Sequence, residues 1–111
     1  MTIDWSDFQK IDIRVGTIIA INDFPRARKP AYQLTIDFGN QIGVKKSSAQ
    51  ITEHYKKELL IGSQIIAVVN FEPKNIAGFM SECLVMGIYD ENNDVILLRP
   101  DKQISNGLKI G

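Results

Sequence analysis

The sequence has few of the residues that build disulfides, metal sites or membrane spans. It contains one cysteine, one histidine and one tryptophan among 111 residues. Because Cys83 is alone, neither an intramolecular disulfide nor a cysteine-based zinc site is available, which is typical of a reducing compartment. The apolar runs, such as residues 65–69, are far shorter than the roughly 20 residues of a membrane helix, and no basic and then apolar leader opens the sequence. These absences predict a cytoplasmic protein without membrane insertion.

Net charge is absent as well, because thirteen basic and thirteen acidic residues cancel. A protein whose main partner is nucleic acid usually carries clustered Lys and Arg that contact the phosphates. Any RNA site in this chain is therefore expected to be a local patch, although each of these charges is equally typical of a solvated loop. The candidate basic residues are Arg26, Arg28, Lys29, Lys45, Lys46 and Lys74.

The sequence also lacks the motifs of an enzyme. It has no Gly-rich phosphate loop, no paired nucleophile and base, and no cluster with metal-ligand spacing. The sole histidine, His54, has no evident carboxylate or thiol partner in the sequence around it. We therefore predict a protein that is not an enzyme and that uses no cofactor and no metal.

Composition and length predict one folded domain over residues 1–111. Hydrophobic residues make up 44% of the chain and charged residues 23%, which is typical of a globular protein that can bury a core. Asp4 can cap a short first helix that carries Trp5 and Phe8. Such a helix is too short to be stable alone, so its two aromatic residues need a surface to cover.

A long first strand is predicted from Ile11 to Asn22, with a bulge or sharp coil at Gly16. Alternation places on one face Ile11, Ile13, Val15, Thr17, Ile19 and Ile21, and on the other face Asp12, Arg14, Gly16, Ile18 and Ala20. After a loop bounded by Pro25 and Pro30, a second strand is predicted near residues 32–38 and a third through Ile42 and Val44, with a turn at Gly39 and Asn40.

A helix is predicted next, because Ser47 and Gln50 have the form of a capping box and Ile51, Tyr55 and Leu59 follow at i+4 spacing. Further strands are predicted at residues 64–69, 83–89 and 95–98, with a turn at Asn92 and Asn93. This order favours an all-β domain with short helices: a five-stranded Greek-key barrel of the oligonucleotide-binding type, with an N-terminal helical turn and a helix between strands 3 and 4. A generic small β-barrel or sandwich is the alternative.

The segment of residues 70–84 follows neither a helical nor a strand period. It reads N-F-E-P-K-N-I-A-G-F-M-S-E-C-L. Its apolar residues can stack on unpaired bases or seat an unfolded chain, or they can pack under the loop. Ser81 and Glu82 can hydrogen-bond a base edge or a peptide amide, whereas Glu72 and Glu82 repel phosphate. Asn70 can bind a ligand or satisfy loop backbone groups.

Two motifs carry a family resemblance: D-I-R-V-G at residues 12–16 and the segment of residues 70–84. Both resemble the tRNA-binding domain of some methionyl- and phenylalanyl-tRNA synthetases. The whole chain, including F-P-R-A-R-K-P-A, I-G-V-K-K-S-S-A-Q-I and the final N-G-L-K-I-G, is similar to the free-standing bacterial CsaA proteins. The resemblance implies an oligonucleotide-binding barrel that forms a homodimer. It also implies binding of tRNA in the wider family, and in CsaA proteins an export-related chaperone that binds unfolded preprotein and the secretion ATPase.

Two hypotheses remain open from the sequence: a chaperone that holds unfolded preprotein on apolar side chains, and a module that binds tRNA. Both use one predicted ligand face, for which the resemblance contributes Arg14, Asn70, Lys74, Gly78, Ser81, Glu82 and Leu84. The full predicted set is Arg14, Lys45, Lys46, Asn70, Phe71, Lys74, Ile76, Phe79, Met80, Ser81, Glu82 and Leu84. Trp5 and Phe8 are the predicted dimer contacts.

Overall fold

The computed structural model describes residues 1–111 as nine strands and two short helices. The helices are α1 (Trp5–Gln9) and α2 (Lys57–Leu60). The strands are β1 (Ile13–Asp23), β2 (Tyr32–Asp37), β3 (Val44–Ala49), β4 (Gln64–Val68), β5 (Lys74–Ile76), β6 (Phe79–Ser81), β7 (Leu84–Val85), β8 (Gly87–Tyr89) and β9 (Val95–Leu97). Neither helix has both the length and the apolar character that crossing a membrane requires.

Five strands form one antiparallel sheet in the order β3-β2-β1-β4-β7. The central strand β1 pairs with β2 on one side, where Thr17 lies opposite Asp37, and with β4 on the other, where Ile13 lies opposite Val68. The sheet curls until its outer strands meet, and the Ser47 hydroxyl at one edge donates to the carbonyl of Cys83, 3.0 Å away, beside the other edge. The result is the nearly closed five-stranded barrel of the oligonucleotide-binding type that the sequence predicted.

The barrel interior is filled by alternate residues of the sheet strands. In β2, Tyr32, Leu34 and Ile36 are buried, and the residues between them are only half-buried. They join a cluster of 13 buried residues that includes Ile18 and Phe38, both fully inaccessible to solvent. Because burying one such apolar side chain contributes roughly 1.5–3 kcal/mol, this single cluster is the main source of stability.

The predicted faces of β1 are wrong beyond its first half. A β-bulge shifts the register between Ile18 and Ala20, and this reverses the alternation. Ile18 precedes the bulge and is buried on the same inward face as Gly16, and Ile19 is 48% exposed. Beyond the bulge Ile21, which was predicted on the opposite face from Ile18, packs against the core. Gly16 is not the bulge: it faces the interior, where a Cβ would lie 2.7 Å from the Phe38 ring.

The predicted helix starting at Ser47 is also wrong. Residues 47–49 continue β3, which pairs with β2 along six residues, and the buried Ser47 side chain caps nothing. The hydrogen bonds of a continuous strand pair outweigh a single local capping pattern. A helix does lie between strands 3 and 4, as predicted, but it is only the four residues of α2, and Leu59 is 76% exposed on it while Leu60 is buried.

Candidate ligand-binding face

The segment that lacked any period in the sequence contains a β-hairpin, β5–β6, outside the five-stranded sheet. Ile76 pairs with Phe79, which leaves Ala77 and Gly78 as a two-residue turn. Both turn residues have positive φ, 48° and 87°, as a type I′ turn requires. The Asn75 side-chain oxygen accepts a hydrogen bond from the Gly78 N–H at 2.9 Å and holds this turn.

Ser81 and Glu82 attach the hairpin to the edge of β3. The Ser48 N–H donates to the Ser81 hydroxyl at 3.1 Å, and the Lys46 N–H donates to Glu82 Oε1 at 3.0 Å. These side chains satisfy main-chain donors that an edge strand would otherwise leave open. The Glu82 carboxylate is therefore already occupied at one oxygen, and both residues position the hairpin.

Phe79 packs against the loop between β1 and β2. Its ring centroid lies 5.5 Å from that of the buried Phe24, with the planes tilted by 57°. A groove of about 320 Å³ opens there between the loop and the hairpin tip. It is lined by Phe24, Pro25, Arg26, Gln33, Ala77, Gly78 and Phe79.

Phe24 and Gln33 line the groove and were not predicted as site residues from the sequence. The alternation of β2 was the available signal for Gln33, because the residues on either side of it, Tyr32 and Leu34, are buried. No local pattern pointed to Phe24, because its position depends on a contact with the distant hairpin.

The apolar residues of the candidate face divide into packed and exposed ones. Ile76 and Phe79 are half-buried, so the alternative of packing under the loop applies to them in part. Phe71, Met80 and Leu84 are 58%, 46% and 51% exposed. These three side chains are free to contact a ligand.

The predicted basic residues differ in how free their charges are. Arg14 is engaged, because its Nε donates to Asp12 Oδ1 at 2.6 Å and its Nη1 to the Gly107 carbonyl at 2.9 Å. Lys45 is half-buried on the inward side of β3, the side of Ser47, whereas Lys46 points outward and is exposed. Lys74 is exposed on the hairpin. The ammonium groups of Lys45, Lys46 and Lys74 form no hydrogen bond or ion pair within the chain, and Lys46 and Lys74 are the more exposed residues.

Asn70 makes two contacts with backbone groups. Its Oδ1 accepts from the Asp12 N–H at 3.0 Å, and its Nδ2 donates to the Lys10 carbonyl at 2.7 Å. These contacts join the end of β4 to the residues that follow α1. Of the two roles that the sequence left open, satisfying loop backbone groups is the one that Asn70 performs in this structure.

Trp5 and Phe8 lie together on α1, with ring centroids 5.5 Å apart. No residue of α1 is buried, and Trp5 is 68% exposed. With Ile3, Asp4 and Gly111 the two rings line a shallow hollow of about 330 Å³. The Trp5 side chain is therefore largely uncovered by the chain itself, whereas Phe8 is half-buried.

The pKa values of Cys83, beside the hairpin, and of Asp90, away from it, are shifted. Burial raises the pKa of the Cys83 thiol to about 12, so the thiol is an inert core group. His54 does have a carboxylate partner, contrary to the sequence analysis, because its Nε2 lies 2.7 Å from Asp90 Oδ2. The hydrogen bond to His54, followed by backbone N–H donors, holds the pKa of Asp90 below its usual value.

This geometry was compared with known proteins. The model of the family "Putative tRNA binding domain" matches residues 13–109. A methionine–tRNA ligase from Nanoarchaeum equitans is 38% identical over 108 residues, which cover 97% of this chain and 13% of that protein. The chain thus spans about an eighth of the length of that relative.

Two solved structures are similar over nearly the whole of both chains. The chaperone CsaA from Bacillus anthracis superimposes with a TM-score of 0.94 at 50% identity, covering all of both chains. The CsaA chaperone from Picrophilus torridus gives 0.93 at 55% identity, covering 99% of this chain and all of that one. With a family match over most of its length, the chain belongs to the putative tRNA-binding domain family.

Proposed function

We propose that this chain is a non-enzymatic, cytoplasmic binding protein of CsaA type, an export-related chaperone that binds unfolded preprotein and the secretion ATPase. The observation that carries the proposal is the similarity to two CsaA chaperones along the full length of both, at 50% and 55% identity. The methionine–tRNA ligase relative shares only this one domain with the chain.

The exposed apolar side chains of the candidate face support binding of polypeptide. Phe71 and Met80 belong to the hairpin segment but not to the core cluster, and about half of each side chain is open to water. Side chains of this kind adapt to varied apolar partners, and methionine does so especially well. The zero net charge of the chain fits a ligand held mainly by apolar contact.

Binding of tRNA through the same face is the second candidate, and the family match favours it. The exposed Lys46 and Lys74 and the groove beside Arg26 supply cations for phosphates, and Phe79 supplies a ring on which a base can stack. The Glu82 carboxylate accepts the Lys46 N–H and keeps its negative charge, so phosphates would have to contact the lysines on the side away from it.

The two candidates separate by salt dependence. We would titrate the chain with total tRNA and with a permanently unfolded, carboxymethylated polypeptide, each at two salt concentrations. The affinity for a ligand bound through several phosphates falls steeply as salt rises. The affinity for a polypeptide held by apolar side chains falls little or increases. Chaperone function predicts the second behaviour for the polypeptide. A polypeptide affinity that collapsed with salt, or was undetectable while tRNA bound, would leave tRNA binding as the function.

A matched pair of variants would test whether polypeptide binds at the hairpin. The double variant Phe71→Ala, Met80→Ala removes two exposed side chains and is expected to weaken polypeptide binding at least about fivefold without loss of thermal stability. The control is Leu59→Ala, which removes a side chain that is 76% exposed on α2. Equal effects of both changes on binding would contradict a hairpin site.

We further propose that the chain forms a homodimer through α1. The support is that Trp5 is 68% exposed and that Phe8 beside it is only half-buried, which leaves aromatic surface open to a partner. Two joined chains would offer two ligand faces to one extended ligand and raise its avidity. Light scattering should give twice the chain mass at micromolar concentration, and Trp5→Ala should shift the mass toward that of one chain. A stable monomer of the unchanged protein would refute the dimer.

A further inference from the structure

A histidine and two aspartates from distant parts of the sequence meet away from the candidate ligand-binding face. A ring nitrogen of His54, a carboxylate oxygen of Asp90 and one of Asp94 all lie within 4.8 Å of one another. His54 belongs to the loop between β3 and α2, and the aspartates flank the turn between β8 and β9. None of these residues takes part in the barrel core.

Asp90 is fixed in place before any ligand arrives. Its Oδ1 accepts hydrogen bonds from the N–H groups of Asn92 and Asp94, both at 2.9 Å. The backbone closes the same turn, because the Asp90 N–H donates to the Asp94 carbonyl at 2.8 Å. These bonds to Oδ1 leave Oδ2 pointing toward His54. In protein metal sites, hydrogen bonds of this kind to a ligating side chain commonly hold it in the orientation that binds the ion.

Asp94 supplies a carboxylate that has no partner in the protein. Its side chain accepts no hydrogen bond and forms no ion pair, although the residue is half-buried and next to the carboxylate of Asp90. Two neighbouring carboxylates repel one another, and a cation between them removes that repulsion. The free oxygens of Asp94 complete a set of one imidazole nitrogen and two carboxylates.

We propose that His54, Asp90 and Asp94 bind a divalent transition-metal cation of the Zn²⁺, Co²⁺ or Ni²⁺ type. An imidazole ligand suits these ions, whereas Mg²⁺ and Ca²⁺ prefer sites made of oxygen alone. Three protein ligands leave at least one position for water. The imidazole would bind the ion through the Nε2 lone pair, with the neutral ring carrying its proton on Nδ1, and any proton on Nε2 would be released to water.

The spacing of the three atoms requires little movement. Metal–ligand distances of about 2.0–2.2 Å place two neighbouring ligand atoms on one ion roughly 3 Å apart. The His54 and Asp90 atoms are already at 2.7 Å, and the widest separation in the set is at most 4.8 Å. The His54 side chain is 38% exposed and therefore has room to adjust its position.

The bound ion would join two segments outside the five-stranded sheet. The loop that carries His54 already touches the β8–β9 hairpin through Tyr55, whose hydroxyl accepts the Leu97 N–H at 3.0 Å. A metal link at the turn adds a second attachment at the other end of the hairpin. The proposed role is therefore structural: the ion stabilises the folded chain, and this role is independent of which ligand the hairpin β5–β6 binds.

The test uses the full chain without an affinity tag, freed of metal by chelation. Calorimetric titration with Zn²⁺ and Co²⁺ is expected to give one site per chain, and each ion should raise the melting temperature, whereas Mg²⁺ at the same concentration should not. Asp94→Asn should weaken binding at least about tenfold. Glu91→Gln is the control, because it removes one negative charge from the same turn outside the cluster.

Three outcomes would overturn the site. These are no binding at millimolar metal, an affinity unchanged by Asp94→Asn, or an equal loss in Glu91→Gln. If Asp94→Asn proved unstable, the unchanged protein would still decide the question by nuclear magnetic resonance. Paramagnetic Mn²⁺ should broaden the signals of His54 and of residues 90–94 first, and broadening confined to other residues would refute the proposal.

Discussion

Glu82 and Lys46 exchange two hydrogen bonds across the gap that closes the barrel. The Glu82 N–H donates to the Lys46 carbonyl at 2.7 Å, and the Lys46 N–H donates to Glu82 Oε1 at 3.0 Å. The side chain of Glu82 thus replaces the missing carbonyl of a strand partner. One residue ends the hairpin β5–β6 and also completes the edge of β3.

Glu82→Ala should destabilise the fold, because the Lys46 N–H loses its acceptor. We expect a loss of about 1 kcal/mol in the free energy of unfolding, since water can reach the freed group and replace part of the bond. Glu82→Gln keeps an acceptor oxygen and should lose less than half as much. Urea denaturation measures both. Glu72→Ala, at an exposed position without such a bond, is the control, and an equal loss there would contradict the role of Glu82.

Arg14 and Lys46 should differ in their effect on tRNA binding. Arg14→Ala removes the bonds to Asp12 and to the Gly107 carbonyl, and we expect it to lower stability by about 1 kcal/mol. Lys46→Ala should leave stability unchanged. It should reduce the magnitude of the slope of log affinity against log salt by up to about 0.9, which is the contribution of one phosphate contact. Filter binding over a salt series measures the slope. An unchanged slope in Lys46→Ala would remove that residue from the tRNA site.

The hairpin turn should become more stable when Ala77 is replaced by asparagine. Ala77 has φ 48°, a left-handed conformation that costs an ordinary residue about 1–2 kcal/mol and that asparagine tolerates better. Ala77→Asn creates the Asn-Gly pair favoured in type I′ turns and should slow amide exchange in β5 and β6. Gly78→Ala should speed it. The reason is the positive φ of Gly78 and not a steric clash, since a Cβ at Gly78 would contact only Arg26 Nη1, at 3.8 Å.

The Cys83 thiol should resist alkylation in the folded protein at pH 8. Its pKa is raised to about 12 by burial, so almost no thiolate exists at that pH. The sign for stability follows: the neutral thiol favours the folded state fully below the ordinary thiol pKa of 9.0, and this contribution is lost as pH rises from there toward 12. Cys83→Ala should flatten that part of the stability profile, and fast labelling of the native protein by iodoacetamide would contradict the prediction.

The parts of the fold that the sequence predicted correctly are those governed by local alternation. The strand near residues 32–38 and the turn at Gly39 follow from near neighbours in the sequence. The bulge at Ile19 could not be predicted in this way, because a bulge is defined by the partner strand and not by the strand that contains it. The capping pattern at Ser47 predicts a helix, and this prediction is wrong for the same reason. The contacts of Ser47 with β2 and with Cys83, which are distant in the sequence, outweigh the local pattern.

The candidate site was predicted as a segment but not as a surface. Residues 70–84 stood out because their pattern fitted no regular element, and they do form a separate hairpin beside the barrel. The contacts of Phe79 with Phe24 and of Glu82 with Lys46 join residues more than thirty positions apart, and no spacing rule predicts them. The His54–Asp90 contact was missed for the same reason.

The separation of β5–β6 from the main sheet bears on how this domain can change over time. No main-sheet strand depends on residues 74–80 for its register, because the hairpin pairs only with itself and is held through Phe79, Ser81 and Glu82. Replacements at Phe71 or Met80 would therefore alter the proposed binding surface without disturbing strand pairing. If ligands bind there as proposed, the barrel can be inherited unchanged while variation in the hairpin segment changes the class of ligand.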